Sequence, residues 1–147
     1  MTTPDRILDS LADFQSWKQG RRKFDLIDYA MCTATPDSLC AFLELVDPLL
    51  IKHDGHFFLA HQFDLAAYEA WHVKLDKISE IQKVMNHIHI SSLVQDQEVG
   101  DGVALHIAQR LAGCWSRTFQ HLGLKAECYG SCLDDAQVTF FTATDGA

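Results

Sequence analysis

The chain has 147 residues, is 48% hydrophobic and 22% charged, and carries a net charge of -8 with a pI near 5.3. Length and apolar content suffice for one α+β domain, 1–147, with its own core. The acidic balance excludes a nucleic-acid footprint, which needs a basic face to neutralise phosphates, and argues equally against an anionic membrane surface.

The N-terminus offers Pro4, Asp5 and Asp9 in place of a basic start and an apolar run, so no secretory signal is expected. Thr3-Pro4-Asp5 reads as a capped helix start. Ile7, Leu8, Leu11, Phe14 and Trp17 then share one helical face, and Gly20 ends it. The short basic cluster Arg21-Arg22-Lys23 reads as a solvated connection from this helix to a strand. Residues 24–33 are apolar on both faces apart from Asp25 and Asp28, the pattern of a buried strand. Asp28 in that setting is either an end position with a backbone or Arg partner, or a functional acid.

Thr35-Pro36-Asp37 repeats the cap-proline-acid start, and Leu39, Cys40, Phe42, Leu43 and Val46 form the apolar face of a second helix. Asp54-Gly55 is a type I′ hairpin signal. A two-residue turn there sets His53 opposite His56 and Ile51 opposite Phe58. Asp64 caps a helical segment that runs to residue 85, as one kinked helix or two. Residues 86–94 follow as a period-two strand, then a polar loop at 95–102. The longest helix carries Val103, Leu105, Ile107, Ala108, Leu111, Ala112, Trp115 and Phe119. Residues 124–130 alternate as a strand, Leu133-Asp134-Asp135 makes a turn, and 137–144 is the last strand, before a frayed tail.

In order, these elements suggest a duplicated α-β-α-β-β unit, 4–61 and 64–144. Its halves would pair into a mostly antiparallel or mixed sheet with helices mainly on one face. That topology resembles the duplicated strand-helix-strand-strand modules of the gyrase-inhibitor-like ligand-binding domains. The resemblance implies a ligand groove between the halves; a ferredoxin-like arrangement is also compatible.

No apolar stretch approaches the length of a membrane span. The five cysteines, Cys32, Cys40, Cys114, Cys128 and Cys132, have no CxxC spacing, so free thiols in a reducing cytoplasm are expected. Neither Cys32 nor Cys114 has the setting that lowers a thiol pKa. Gly100-Asp101-Gly102 is acidic and lysine-free, unlike a phosphate loop. No motif names a cofactor.

His87 and His89 alternate with Ile88 and Ile90, so they share a strand face about 6–7 Å apart. Two such histidines can share a metal, and His53, His56, His61 and Asp28 are further ligands by residue type. Against this stands the plain reading of locally hydrogen-bonded surface histidines. Ile88-His89-Ile90-Ser91 is also similar to the hydrophobic-His-hydrophobic-Ser/Thr motif of the two-histidine phosphoesterases. That resemblance implies His89 as general acid or base and Ser91 as a phosphate-oxygen partner. The family's second motif is missing: two positions after His53, His56 and His61 stand Gly55, Phe58 and Phe63. Trp17, Tyr29, Trp71, Trp115 and Tyr129 are enough aromatics to line a groove, which beside Asp28 would suit a cationic or neutral apolar ligand.

With no complete catalytic set, binding is favoured over catalysis. The expected function is that of a domain binding a small molecule or a protein through Asp28, Trp71, His87, His89 and Tyr129. The alternatives are a metal- or histidine-dependent hydrolase centred on His87 and His89, and a homodimeric assembly module.

Overall fold

A computed structural model describes residues 4–94, 99–130 and 135–143 of the chain. The fold is α+β, with helices and two small antiparallel sheets. The chain divides into two compact units, with the boundary between Leu43 and Glu44.

The first unit is helical. The expected single N-terminal helix is two short ones, α1 (Pro4–Asp9) and α2 (Ala12–Lys18). The break lies at Leu11, whose backbone leaves the helical region; the Leu8 carbonyl accepts from the Leu11 N–H at 3.2 Å and from the Gln15 side-chain amide at 2.9 Å. Phe14 is buried, stacks on Phe24 at 5.9 Å and meets Tyr29 edge-on at 6.1 Å. Arg21, expected to be merely solvated, lies over the rings of Trp17 and Phe24 at 5.3 and 4.8 Å.

The expected buried strand at 24–33 is instead α3 (Leu26–Thr33). The cause is a capping box. The Asp25 carboxylate accepts from the Asp28 N–H at 2.9 Å, and the Asp28 carboxylate accepts from the Asp25 N–H at 3.0 Å. Two acids three residues apart fix a helix start, and the apolar run that suggested a strand is a largely exposed helix surface: Ile27 and Met31 are 70% and 74% exposed. The helix α4 (Pro36–Val46) starts as expected, with Thr35 and Ser38 exchanging side-chain-to-backbone bonds at 3.1 and 2.9 Å.

In the second unit, β1 (Leu50–His53) and β2 (His56–Leu59) form the hairpin in the expected register, His53 opposite His56 and Ile51 opposite Phe58. Asp54 and Gly55 both have positive φ, 49° and 82°, as a type I′ turn demands. Asp64 caps α5 (Leu65–Lys74), accepting from the Ala67 N–H at 2.7 Å. Residues 65–85 form two helices, because Leu75 and Lys77 are extended before α6 (Ile78–Met85). Next come β3 (Ile88–His89), a 3-10 turn (Ile90–Leu93), α7 (Asp101–Phe119), β4 (Leu124–Tyr129) and β5 (Gln137–Thr142). Gly123, at φ 72°, takes the left-handed turn between α7 and β4. The second sheet has the antiparallel order β3-β5-β4.

The expected eight- or nine-residue strand at 86–94 is thus two residues of ladder followed by a tight turn. Ile90 donates the last backbone bond to Ala136 at 2.9 Å, and the chain then curls. The duplication is not shown. With a helix at 26–33, residues 4–59 run through four helices before any strand, whereas 65–142 interleave helices with three strands.

The sheet is covered from both sides at β5. On one face Ile88, Val138, Phe140 and Leu124 pack with Leu111, Ala112, Trp115 and Phe119 of α7. The Trp115 indole donates to the Leu45 carbonyl at 2.9 Å. Each such fully buried side chain contributes roughly 1.5–3 kcal/mol. On the other face α6 meets β5: the Thr139 hydroxyl donates to the Lys83 carbonyl at 2.9 Å, and the Lys83 ammonium sits 4.3 Å over the Phe141 ring.

Two fully buried amides on and beside α6 join the hairpin to this sheet. Asn86 accepts from the Leu59 N–H at 3.1 Å and donates to the carbonyls of Phe57 and Phe140 at 3.3 and 3.2 Å. Gln82 donates to the Phe57 carbonyl at 3.1 Å and accepts from the Thr142 N–H and hydroxyl at 2.9 and 2.8 Å. Where β3 has not yet begun, Asn86 occupies the neighbouring place beside β5, so a side chain continues what backbone cannot. No helix among the described residues is long and apolar enough to cross a membrane. Cys32 and Cys40 are exposed and Cys114 and Cys128 partly buried, all four free; Cys132, Asp134 and the tail lie outside the described residues.

Candidate functional site

His87 and His89 emerge from the turn that follows α6. The Gln62 amide pins that turn by donating to the carbonyls of Met85 and His87 at 2.8 and 3.0 Å. The period-two alternation holds here: Ile88 is buried against α7, and the two histidines share the opposite face. Their rings meet edge-on, with centroids 4.8 Å apart and the two Nε2 atoms at 3.1 Å.

The other nitrogen of each ring is engaged. His87 Nδ1 bonds the Val84 carbonyl. His89 Nδ1 lies 2.5 Å from Asp135 Oδ2, and the Ser91 hydroxyl donates to the same oxygen at 3.0 Å. A carbonyl only accepts, and an ionised carboxylate only accepts, so both Nδ1 atoms must carry their protons. Both Nε2 atoms are then left with lone pairs, and the two atoms stand only 3.1 Å apart. Two lone pairs at that distance repel; a shared positive centre, a proton or a metal ion, turns the contact into an attraction. The His89 and Asp135 side chains are 39% and 33% exposed, so the site opens to solvent.

Asp135 is placed by the backbone opposite it. Gly130 has φ 124°, and a Cβ there would lie 2.8 Å from the Asp135 carbonyl oxygen and 3.0 Å from Ala136 Cα. Only glycine lets the ends of β4 and β5 approach this closely.

Cross-strand register extends the polar face. Gln137 stands opposite His89 on one side and Tyr129 on the other, and Thr139 stands opposite Glu127. Directly opposed residues of an antiparallel ladder share a face. His89, Gln137 and Tyr129 therefore form one row, with Glu127 beside it, ion-paired to Lys125 at 3.2 Å. Tyr129 is 43% exposed, and its phenol is pushed above the usual tyrosine range by partial desolvation and by the Glu127 charge.

Of the residues expected to bind a ligand, His87, His89 and Tyr129 are thus brought to one face. Trp71 packs partly buried in a separate cluster with Phe58, Tyr68, Ile81 and Met85. Asp28 caps α3 and belongs to the first unit. His53 lies against Phe63 and Tyr68 and pairs with Asp54 at 3.4 Å, and His56 is its partner across the hairpin. Among the described residues no group of three or more His, Cys, Asp or Glu side chains gathers as a metal cage. Ser91 is within reach of Asp135 and not of a histidine nitrogen, so the described contacts do not form a serine nucleophile chain.

Asp135, Gln137 and Gly130 escaped the sequence reading. Asp135 lies 46 residues from His89, just before β5, and only the β3–β5 register brings them together. Comparison with family models, with curated protein sequences and with solved structures finds no match for this chain.

Proposed function

We propose that this protein binds a small polar ligand on the open end of the three-stranded sheet, with His87, His89, Gln137 and Tyr129 facing it. The observation that carries this reading is the cross-strand row His89–Gln137–Tyr129, continued by the His87–His89–Asp135 chain of contacts. An imidazole, a carboxamide and a phenol together supply donors and acceptors on one half-exposed surface. These are the convergent polar groups a small-molecule site uses for orientation. An NMR fragment screen on 15N-labelled protein tests it. Polar heterocycles and small carboxylates should shift the resonances of residues 87–91, 129 and 137 selectively; unperturbed signals there throughout the library would remove the reading.

A hydrolase is the second reading, and the His89–Asp135 contact favours it. A carboxylate that holds Nδ1–H orients the imidazole and strengthens Nε2 as a base. Phosphodiester and ester hydrolysis assays, with and without added Zn2+, address it; turnover unchanged in H89A would refute it. Assembly as a homodimer is the third. It draws on Ile27, Met31, Leu39, Phe42 and Leu43, which are 50–74% exposed on helices that bury no residue. Helices this short are marginal without packing. Light scattering that reports only monomer at high concentration would count against it.

A further inference from the structure

We infer that His87 and His89 bind one divalent first-row transition-metal ion through their Nε2 atoms. The inference deepens the ligand-binding reading and rests on it for the choice of face. Three observations carry it. The two Nε2 atoms stand 3.1 Å apart, with the ring planes at 80° to one another. With metal–nitrogen bonds of about 2.05 Å, that separation gives a ligand–metal–ligand angle of about 100°, between octahedral and tetrahedral values. Both Nδ1 atoms are held by acceptors, one a backbone carbonyl and one a carboxylate, the arrangement that fixes tautomer and ring direction in histidine metal ligands. Finally, the backbone beneath both rings is rigid: Gln62 ties the His87 carbonyl, Asn86 is fully buried, and His89 lies in the ladder to β5.

Imidazole nitrogen selects Zn2+, Ni2+ or Cu2+ over Mg2+ and Ca2+, which prefer oxygen. Two protein ligands leave coordination positions open, and the exposure of His89 turns them toward solvent. The ion would therefore be exchangeable, and an anionic oxygen donor could complete its sphere. Asp135 acts as a positioning residue, through the His89 ring.

Titration of the metal-free full chain with Zn2+ by calorimetry, and with Co2+ by visible absorption, tests the inference. One saturable equivalent is expected. H87A and H89A should each lower its affinity at least tenfold. D135N should weaken it by about 10–100-fold, with Co2+ still bound in the same ligand field. H53A/H61A serves as control at two of the protein's six other histidines and should leave the equivalent unchanged. Should a histidine variant misfold, Zn2+-induced shifts of the His87 and His89 ring nitrogens in the unaltered protein give the same answer. No saturable equivalent, or one that survives both H87A and H89A, overturns the inference. The two readings fail separately. Fragment-induced shifts at Gln137 and Tyr129 without a Zn2+ equivalent would overturn the metal inference alone. A Zn2+ equivalent on the two histidines without fragment shifts would support it and overturn only the small-molecule reading.

Discussion

Asn86 and His87 are neighbours in sequence and opposites in chemistry. Asn86 is fully buried, and its amide makes three hydrogen bonds, one accepted and two donated, each to backbone. Gln82, one turn earlier on α6, is also fully buried and equally engaged. His87 and His89 satisfy one nitrogen each on the protein and set the other 3.1 Å from a like group. The contrast separates two uses of polar side chains. Neutral amides bonded at both nitrogen and oxygen hold the sheet edges together. Imidazoles with matched Nδ1 and opposed Nε2 are balanced only by something positive between them.

The sharpest break of this comparison is Asn86→Ala. It strands the Leu59 N–H and the Phe140 carbonyl in a dry place, and the expected loss is about 3 kcal/mol or more, read by chemical denaturation. A loss under about 1 kcal/mol would mean the amide seam is dispensable. Next comes Gly130→Ala. Its Cβ would meet the Asp135 carbonyl oxygen at 2.8 Å at a positive φ. About 2 kcal/mol of destabilisation is expected, together with weaker Zn2+ binding as Asp135 shifts from His89.

Tyr68 offers a pH-dependent test on the hairpin side. Its phenol is buried and donates to Asp54 at 3.1 Å, and burial first, then Asp54, raises its pKa above the ordinary 10.0. A raised folded pKa means that the stabilisation is fully present below the ordinary value and is lost as pH rises through the folded one. Tyr68→Phe should cost about 1 kcal/mol at neutral pH. It should also flatten the fall in stability above pH 10.0. An equally steep alkaline fall in the variant would place its cause elsewhere. The smallest expected effect on stability belongs to the site itself. His89→Ala should change the unfolding free energy by less than about 1 kcal/mol, since the ring is part-exposed and outside the apolar clusters. A loss as large as that of Asn86→Ala would make His89 structural and dissolve the comparison.

What the sequence revealed follows the range of the interactions. The hairpin at Asp54-Gly55, the Asp64 cap and the long helix of Trp115 depend on neighbours within a turn, and local chemistry declares them. The same holds for His87 and His89, whose shared face needs only period-two geometry over three residues. At 24–33 an apolar run on both faces conceals a helix start, because Asp25 and Asp28 are spaced to make a capping box. At 86–94 the period-two pattern outruns the strand, since only Ile88 and His89 find a partner on β5. Asp135 was out of reach because its role depends on register across 46 residues. Asn86 was equally silent, being one polar residue at a helix end until Leu59 and Phe140 close around it.

The central claim, that both Nδ1 atoms are protonated and both Nε2 atoms are offered to a shared cation, is open to one direct measurement. Long-range 1H–15N correlation spectra of the histidine rings report which nitrogen carries the proton. Protonated Nδ1 is expected on His87 and His89, with both Nε2 signals moving together when one equivalent of Zn2+ is added. A proton on Nε2 with a bare Nδ1 in either ring, unmoved by Zn2+, would contradict it.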